Sequence, residues 1–214
     1  MAHTRIKICG ITRPDDAVAA AAAGVDAIGL VFYPPSPRAV DIDTARAVVA
    51  ALPPFVTATG LFLDADRERV ESVLASVPLG LLQFHGHEDA TFCRLFARPY
   101  IKAVGMADGA DPADPADLAR AWPDAAGLLA DSHRPGEAGG TGKTFAWDRL
   151  AGDRDYRLIL AGGLDPDNVC SAVRAVRPDA VDASSGVEQS PGRKDAARIQ
   201  RFIEEVRRGD RNET

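Results

Sequence analysis

The chain has 214 residues, of which 46 % are hydrophobic and 26 % are charged, and its formal net charge is -6. This length supports a sizeable core, in one α/β barrel or in two small domains. The composition is ordinary for a globular protein, no apolar run is long enough to predict a membrane span, and the acidic balance argues weakly against nucleic acid.

Apolar runs typical of β-strands alternate with helical patterns from one end of the chain to the other. Pro14 and Asp15, which follow Thr12, predict the start of the first helix. Asp165 predicts a helix N-cap, with Pro166 at the first helical position. The strand candidates are residues 5–10, 27–32, 56–63, 79–85, 100–105, 127–131, 158–162 and 180–184.

Eight strands alternating with about eight helices predict a single, lean (βα)8 TIM barrel, an α/β fold. We expect this one domain to span residues 1–208, and residues 209–214 to form a frayed C-terminal tail. An open, doubly wound sheet is the alternative, but strands of such even spacing favour a closed barrel.

Several strand candidates end on polar side chains that share one side of the pleat, because alternate residues of a strand face opposite sides. In a barrel, the apolar side of each strand meets the helices and the other side faces the lumen. We therefore expect six residues to point inward near the carboxyl ends of the strands: Cys9, Gln83, His85, Asp131, Asp182 and Ser184.

Cys9 and Asp131 are the candidates for proton transfer. Cys9 is either a small buried hydrophobe or a base or nucleophile, and its place beside Lys7 favours the second, since a nearby cation lowers a thiol pKa. Asp131 is either a loop-anchoring carboxylate or a general acid, which needs a pKa raised by a closed, partly apolar pocket. The residues alone leave both interpretations of Asp131 open.

Small residues follow the last two strand candidates. Gly162 and Gly163 come after the seventh, and Ser184, Ser185 and Gly186 lie at the end of the eighth. In barrel enzymes these two loops often build a phosphate site from backbone N–H groups and a helix N-terminus. Ordinary turn glycines are the alternative.

The segment GGTGKT at 139–144 resembles a nucleotide-binding P-loop but has the wrong spacing. The Walker pattern needs a glycine five positions before Gly142, where Glu137 stands. We therefore predict a mobile lid here instead of a nucleotide site.

Arg38 follows a loop stiffened by prolines, which suits an arginine aimed at a carboxylate, although a solvated arginine is the alternative. His85, on the lumen side, fits a supporting role better than direct catalysis. The other histidines, His3, His87 and His133, lack the partner spacing of a metal site, so we expect no metal.

Seven segments, in order along nearly the whole chain, resemble the phosphoribosylanthranilate isomerase family of tryptophan biosynthesis. They are KICGIT at 7–12, SPR at 36–38, QFHG at 83–86, the aspartate of GLLADS at 127–132, GGTGKTF at 139–145, LAGGLDPDNV at 160–169 and DASSGVEQSPGRKD at 182–195.

This resemblance implies an Amadori rearrangement that needs no cofactor, with Cys9 as general base and Asp131 as general acid. It also implies that Arg38 binds the anthranilate carboxylate. The implied phosphate site contains Gly162, Gly163 and Ser185, and we expect Ser184 and Gly186 to complete it. The other residues expected to contact substrate are Gln83, His85, Asp182 and, in the lid, Gly140, Thr141 and Gly142.

Two other functions compete with this one. The related barrel isomerase of histidine biosynthesis acts on a two-phosphate substrate and is expected to use two aspartates and a repeated phosphate loop, whereas the first strand here ends in Cys9. A non-catalytic phosphometabolite-binding barrel is the other, and the presence of both Cys9 and Asp131 argues against it.

The N-terminus has no apolar signal segment, and three cysteines lie far apart, which together predict a cytoplasmic protein. Cys93 and Cys170 fall in helical patterns and are expected to be plain buried side chains. As partners we expect a small sugar-phosphate substrate, no nucleic acid and no membrane, in a monomer or a homodimer.

Overall fold

The protein is a closed barrel of eight parallel strands in a computed structural model that describes residues 3–106, 115–132, 147–150, 152 and 154–211. Strand order follows the chain, and the last strand pairs with the first to close the barrel. The strands are β1 (Arg5–Cys9), β2 (Ala27–Val31), β3 (Thr57–Phe62), β4 (Leu81–Phe84), β5 (Tyr100–Gly105), β6 (Gly127–Asp131), β7 (Leu158–Leu160) and β8 (Ala180–Ala183). The predicted TIM barrel is therefore confirmed.

Helices connect the strands on the outside of the barrel. They are α1 (Pro14–Ala23), α2 (Ile42–Ala50), α3 (Arg67–Ser76), α4 (Ala90–Arg94), α5 (Pro115–Ala121), α6 (Val169–Val176) and α7 (Ala196–Asp210). Between β6 and β7, the described part of the chain holds a single 3₁₀ turn, Trp147–Leu150. None of the described helices is long and apolar enough to cross a membrane.

A short excursion follows β8 before the last helix begins. It consists of a 3₁₀ turn, Ser185–Val187, and a two-stranded antiparallel ribbon of β9 (Glu188–Ser190) and β10 (Arg193–Lys194). The ribbon matters for function because it brings charged side chains back to the carboxyl ends of the strands.

Aspartates begin several of the helices. The carboxylate of Asp41 accepts a hydrogen bond from Thr44 N at 2.8 Å, and Asp66 does the same for Arg69 N at 2.7 Å. Such caps satisfy backbone donors that the first helical turn leaves unpaired. The caps therefore fix where α2 and α3 begin.

The buried side chains form an outer layer between sheet and helices and a separate filling of the lumen. Ile6 and Ile8 of β1 belong to the outer layer, as the pleat predicted. Inside the barrel, the apolar cluster comprises Ile101, Ala103, Leu129, Ile159 and Ala161. This packing closes the barrel below the site, so that the pocket opens in one direction only.

Two helix boundaries differ from the predicted ones. The Asp165 carboxylate accepts hydrogen bonds from Asp167 N and Asn168 N, but regular helix begins only at Val169, because a turn precedes it. The predicted tail boundary at residue 209 is wrong: α7 continues to Asp210, whose carboxylate accepts a 2.6 Å hydrogen bond from Thr4 Oγ1. That long-range contact holds the last helical turn in place.

Candidate active site

A pocket opens at the carboxyl ends of the barrel strands, and all six side chains predicted to face the lumen there line it. Their placement is therefore confirmed. The pocket is lined by Cys9, Val31, Tyr33, Ser36, Arg38, Leu61, Leu63, Gln83, His85, Asp131, Asp182 and Ser184. One half of this lining is apolar, and the other half carries the groups that can move protons or bind charge.

Cys9 ends β1 in a tightly packed position. Its side chain is buried, and it packs with Val31 and Leu61 on the apolar side of the pocket. A Cβ atom on Gly29 of the neighbouring strand would lie 2.6 Å from Cys9 Sγ. Only glycine at that position leaves room for the thiol.

A buried ion pair lies next to Cys9. Lys7 Nζ donates a 2.8 Å hydrogen bond to Asp182 Oδ1, and both side chains are at least nine-tenths buried. Burial alone lowers the pKa of Lys7, but Asp182 and Cys9 outweigh it and raise that pKa. Lys7 therefore stays charged, two residues before the thiol on the same side of β1.

The expectation that Lys7 gives Cys9 a low pKa is wrong. Burial raises the pKa of the Cys9 thiol, and Asp182 adds to this effect, while Lys7 and Lys194 lower the pKa without cancelling the rise. The sequence showed the cation but not the degree of burial, which exists only once the barrel is closed. Cys9 is thus a buried thiol that becomes a strong base when it ionises.

Asp131 ends β6 across the pocket and has a histidine beside it. His85 Nε2 lies 3.8 Å from Asp131 Oδ2, and both side chains are buried. On the other side of the ring, Gln83 Nε2 lies 3.1 Å from His85 Nδ1. The Gln83 amide and the His85 ring therefore share a hydrogen bond, which holds the ring beside the Asp131 carboxylate.

Arg38 reaches the pocket from the loop between β2 and α2, but it is not a solitary cation. Arg38 Nε and Nη2 donate to Glu188 Oε1 and Oε2 at 2.9 and 2.8 Å. Lys194 Nζ donates to Glu188 Oε1 at 2.7 Å. A Cβ on Gly10, whose φ is +74°, would lie 2.5 Å from Arg38 Cδ, so glycine after β1 lets the arginine pass.

The small residues after β7 and β8 lie against neighbouring loops at the same rim. Gly162 has a φ of +82°, and a Cβ there would lie 2.4 Å from Ser132 N. A Cβ on Gly186 would clash with the carbonyl oxygen of Leu164. Asn168 Nδ2 donates to Gly163 O at 2.8 Å and holds the first of these loops to the start of α6.

Four backbone N–H groups in these two loops can receive an anion. The N–H groups of Gly162, Gly163, Ser185 and Gly186 make no hydrogen bond to any described residue. Free N–H groups in adjacent loops at the carboxyl end of a barrel are suited to binding a phosphate.

Three predicted site residues are not described by the structure, and two buried residues at the site were not predicted. Gly140, Thr141 and Gly142 of the predicted lid lie outside the described residues. Glu188 and Lys194, both buried at the site, were missed by the sequence interpretation. Both lie in the matched segment at 182–195, but the segment alone does not show that Glu188 pairs with Arg38, about 150 residues away in sequence. Among the described residues, no three His, Cys, Asp or Glu side chains are grouped to hold a metal ion.

Comparison with known proteins matches the arrangement to one family. The family model described as N-(5′-phosphoribosyl)anthranilate (PRA) isomerase matches residues 6–205. An N-(5′-phosphoribosyl)anthranilate isomerase of Pseudomonas aeruginosa (strain UCBPP-PA14) is 56 % identical over 214 residues, which cover all of both chains. The chain belongs to the phosphoribosylanthranilate isomerase family.

Solved structures of the family have the same barrel. The phosphoribosylanthranilate isomerase of Thermotoga maritima has a TM-score of 0.84 and 42 % identity, covering 95 % of this chain and 98 % of its own. A second phosphoribosylanthranilate isomerase, in complex with reduced 1-(o-carboxyphenylamino)-1-deoxyribulose 5-phosphate, has a TM-score of 0.77 and 38 % identity over the same shares. The chain is thus an isomerase of tryptophan biosynthesis.

Proposed function

We propose that Cys9 and Asp131 are the acid–base pair with which this barrel isomerises N-(5′-phosphoribosyl)anthranilate to 1-(2-carboxyphenylamino)-1-deoxyribulose 5-phosphate. The observation that carries the proposal is that the two side chains end β1 and β6 and line one pocket. An aldose-to-ketose rearrangement needs one proton delivered and one removed on the same substrate, so two groups on opposite walls meet its requirement.

Asp131 acts first, as the general acid. Its proton goes to the ring oxygen of the ribose, the bond between that oxygen and C1′ breaks, and the nitrogen lone pair forms a C=N double bond. The product of this step is an open-chain, protonated Schiff base with a new hydroxyl. Burial of Asp131 beside His85 keeps bulk water from competing for the transfer.

Cys9 acts second, as the general base. The thiolate takes the proton from C2′, and the electrons of that C–H bond form a C1′=C2′ double bond while the positive nitrogen becomes neutral. The resulting enolamine tautomerises to the ketose, so no atom is gained or lost overall. The raised pKa of Cys9 makes its thiolate a stronger base toward carbon, and Lys7 stabilises the charge that it carries.

The two ends of the substrate are anionic, and the rim of the pocket has a candidate partner for each. The free N–H groups of Gly162, Gly163, Ser185 and Gly186 suit the phosphate, with Ser184 at their edge. Arg38 suits the anthranilate carboxylate, as charged bidentate donors do. Between them, Gln83, His85 and Asp182 line the space for the ribose.

We also propose a cellular compartment, a ligand class and an oligomeric state for the enzyme. We expect a cytoplasmic protein that binds a small sugar phosphate and is a monomer or a homodimer. Phe55, in the loop between α2 and β3, is fully exposed with a φ of +72°, and it is the side chain on which a second copy could pack. Light scattering of the purified chain distinguishes the two states.

Growth rescue tests the proposed function. The gene for this chain should restore growth without tryptophan to a strain that lacks phosphoribosylanthranilate isomerase. It should not restore growth without histidine to a strain that lacks the related isomerase of that pathway. Rescue of the histidine strain alone would show that the chain is the isomerase of histidine biosynthesis instead. Rescue of neither strain, with soluble protein present, would favour a non-catalytic binding protein.

A further inference from the structure

The carboxylate of Glu188 binds Arg38, the arginine proposed above to bind the carboxylate of the substrate. Glu188 accepts from Arg38 Nε at 2.9 Å and from Arg38 Nη2 at 2.8 Å, a two-pronged pair. The Arg38 side chain is 12 % exposed and the Glu188 side chain 4 %. Such a pair fixes both the position and the plane of a guanidinium group.

A second buried cation balances the carboxylate. Lys194 Nζ donates to Glu188 Oε1 at 2.7 Å and to Ser184 O at 3.1 Å, and its side chain is only 1 % exposed. Burial raises the pKa of Glu188, but Arg38 and Lys194 outweigh it and lower that pKa, so the carboxylate is ionised. Burial lowers the pKa of Lys194, and Glu188 opposes that shift without cancelling it. With Lys194 protonated, two cations and one anion leave one positive charge at this wall of the pocket.

The net positive charge can reach a ligand through the guanidinium N–H groups of Arg38 that Glu188 does not use. Glu188 takes the Nε–H group and one N–H group of Nη2, whereas both N–H groups of Nη1 and the second of Nη2 are left for another acceptor. Arg38 lines the pocket and Lys194 does not, so the net charge of the three side chains is available to a ligand only at the guanidinium.

We propose that Glu188 is a positioning residue for substrate recognition: it holds Arg38 so that the remaining N–H groups of the guanidinium meet the carboxylate of the substrate. The inference rests on the proposed role of Arg38 as the carboxylate partner. Glu188 does not touch the substrate in this account. Glu188 acts through Arg38. Because Lys194 also pairs with Glu188, the carboxylate does not neutralise the positive charge that Arg38 offers to the substrate.

Steady-state kinetics of four proteins test the proposal: the parent, Glu188→Gln, Arg38→Ala and the double variant. Glutamine keeps the shape but cannot hold both cations, so KM for N-(5′-phosphoribosyl)anthranilate should rise about tenfold or more, with kcat within about threefold. Arg38→Ala should raise KM roughly ten- to hundredfold. In the double variant, Glu188→Gln should add less than about twofold, because its effect passes through Arg38.

The substrate analogue without the carboxylate, N-(5-phosphoribosyl)aniline, provides the second readout. Its kcat/KM should be nearly equal in the parent and in Glu188→Gln. The matched control is Glu71→Gln, which breaks an exposed pair with Arg67 on α3 and should leave KM unchanged for both compounds.

The two proposals fail in different ways. If Arg38→Ala binds the substrate normally, the carboxylate role of Arg38 is wrong, and the inference about Glu188 falls with it. If Arg38→Ala raises KM but Glu188→Gln leaves it unchanged, only the positioning role of Glu188 is wrong. The same conclusion follows if Glu188→Gln raises KM as much in the Arg38→Ala background as it does in the parent. Should Glu188→Gln fail to fold by circular dichroism, Glu188→Asp, which keeps the charge but shortens the reach, is measured by the same criteria.

Discussion

Cys9 is subject to opposing influences: burial and Asp182 raise the pKa of its thiol, whereas Lys7 and Lys194 lower it. The outcome is a thiol whose thiolate is scarce, and in the proposed role of Cys9 that thiolate is a strong base. This differs from a reactive surface cysteine, whose thiolate is abundant at neutral pH and correspondingly weak. A base of this kind suits removal of a proton from carbon, which a weak thiolate does poorly.

The ionisation of Cys9 can be measured by alkylation. Only the thiolate reacts, so the rate with iodoacetamide rises with pH to a plateau above the thiol pKa, and we expect the midpoint above the ordinary value for cysteine. Lys7→Met removes a cation that lowers the pKa and should move the midpoint further up. The variant Cys9→Ser measures the background alkylation of the other two cysteines, Cys93 and Cys170. A midpoint below the ordinary value would contradict our description of the site.

Asp131→Asn separates proton delivery from binding. Asparagine keeps the shape and can still hydrogen-bond the ring oxygen, but it has no carboxylic proton to give. We expect kcat to fall by about 10²–10⁴-fold with KM changed little. A loss confined to KM would make Asp131 a binding group, and a kcat near that of the parent would remove it from the mechanism.

The loops after β7 and β8 matter as connected elements, because each depends on a neighbour for its conformation. Gly162 lies against Ser132 after β6, Gly186 against Leu164 after β7, and Asn168 ties Gly163 to α6. The backbone donors of the proposed phosphate site are thereby held in place, which would lower the entropic cost of binding a phosphate.

Gly162→Ala tests this arrangement against a matched control. Alanine costs about 1–2 kcal/mol wherever φ is positive, but at Gly162 its Cβ must also displace Ser132 N, 2.4 Å away. We expect KM to rise about tenfold or more, since one charged hydrogen bond is lost. Gly24→Ala, with a φ of +98° and nothing within 4 Å, should cost stability alone. Equal KM values in the two variants would argue against a phosphate site here.

Most strands of this barrel could be predicted because they are short apolar runs with clear ends. Their limits were less accurate: the third strand was expected at 56–63 and spans Thr57–Phe62, since pairing with its neighbours decides where it stops. The inward-facing residues followed from the pleat. Glu188 and the high pKa of Cys9 did not, because a distant partner and full burial exist only in the folded chain.

The closure of the barrel brings the two ends of the chain together. β8 pairs with β1, and beyond them the Asp210 carboxylate accepts hydrogen bonds from Thr4 N, at 3.1 and 3.2 Å, and from Thr4 Oγ1. Arg207 Nη1 donates to Thr4 O at 2.6 Å. α7 therefore fastens the first strand from outside, far from the pocket.

Asp210→Ala should weaken this closure without affecting catalysis. Loss of the contacts with Thr4 is expected to cost about 1–2 kcal/mol, which lowers Tm by about 2–8 °C for a domain of this size. Calorimetry measures Tm, and Glu71→Gln, in an exposed pair, is the control that should change little. An unchanged Tm would mean that the last turn of α7 does not support the barrel, and a lowered kcat would mean that closure and chemistry are coupled.

Turnover of N-(5′-phosphoribosyl)anthranilate by the purified chain and by Cys9→Ser tests whether Cys9 is the general base of this isomerase. The parent protein should form 1-(2-carboxyphenylamino)-1-deoxyribulose 5-phosphate without added metal or cofactor. Cys9→Ser should fold normally and lose about 10²–10⁴-fold or more in kcat, because a hydroxyl is a poor base at neutral pH. No turnover by the parent, or near-normal turnover by the serine variant, would contradict the account.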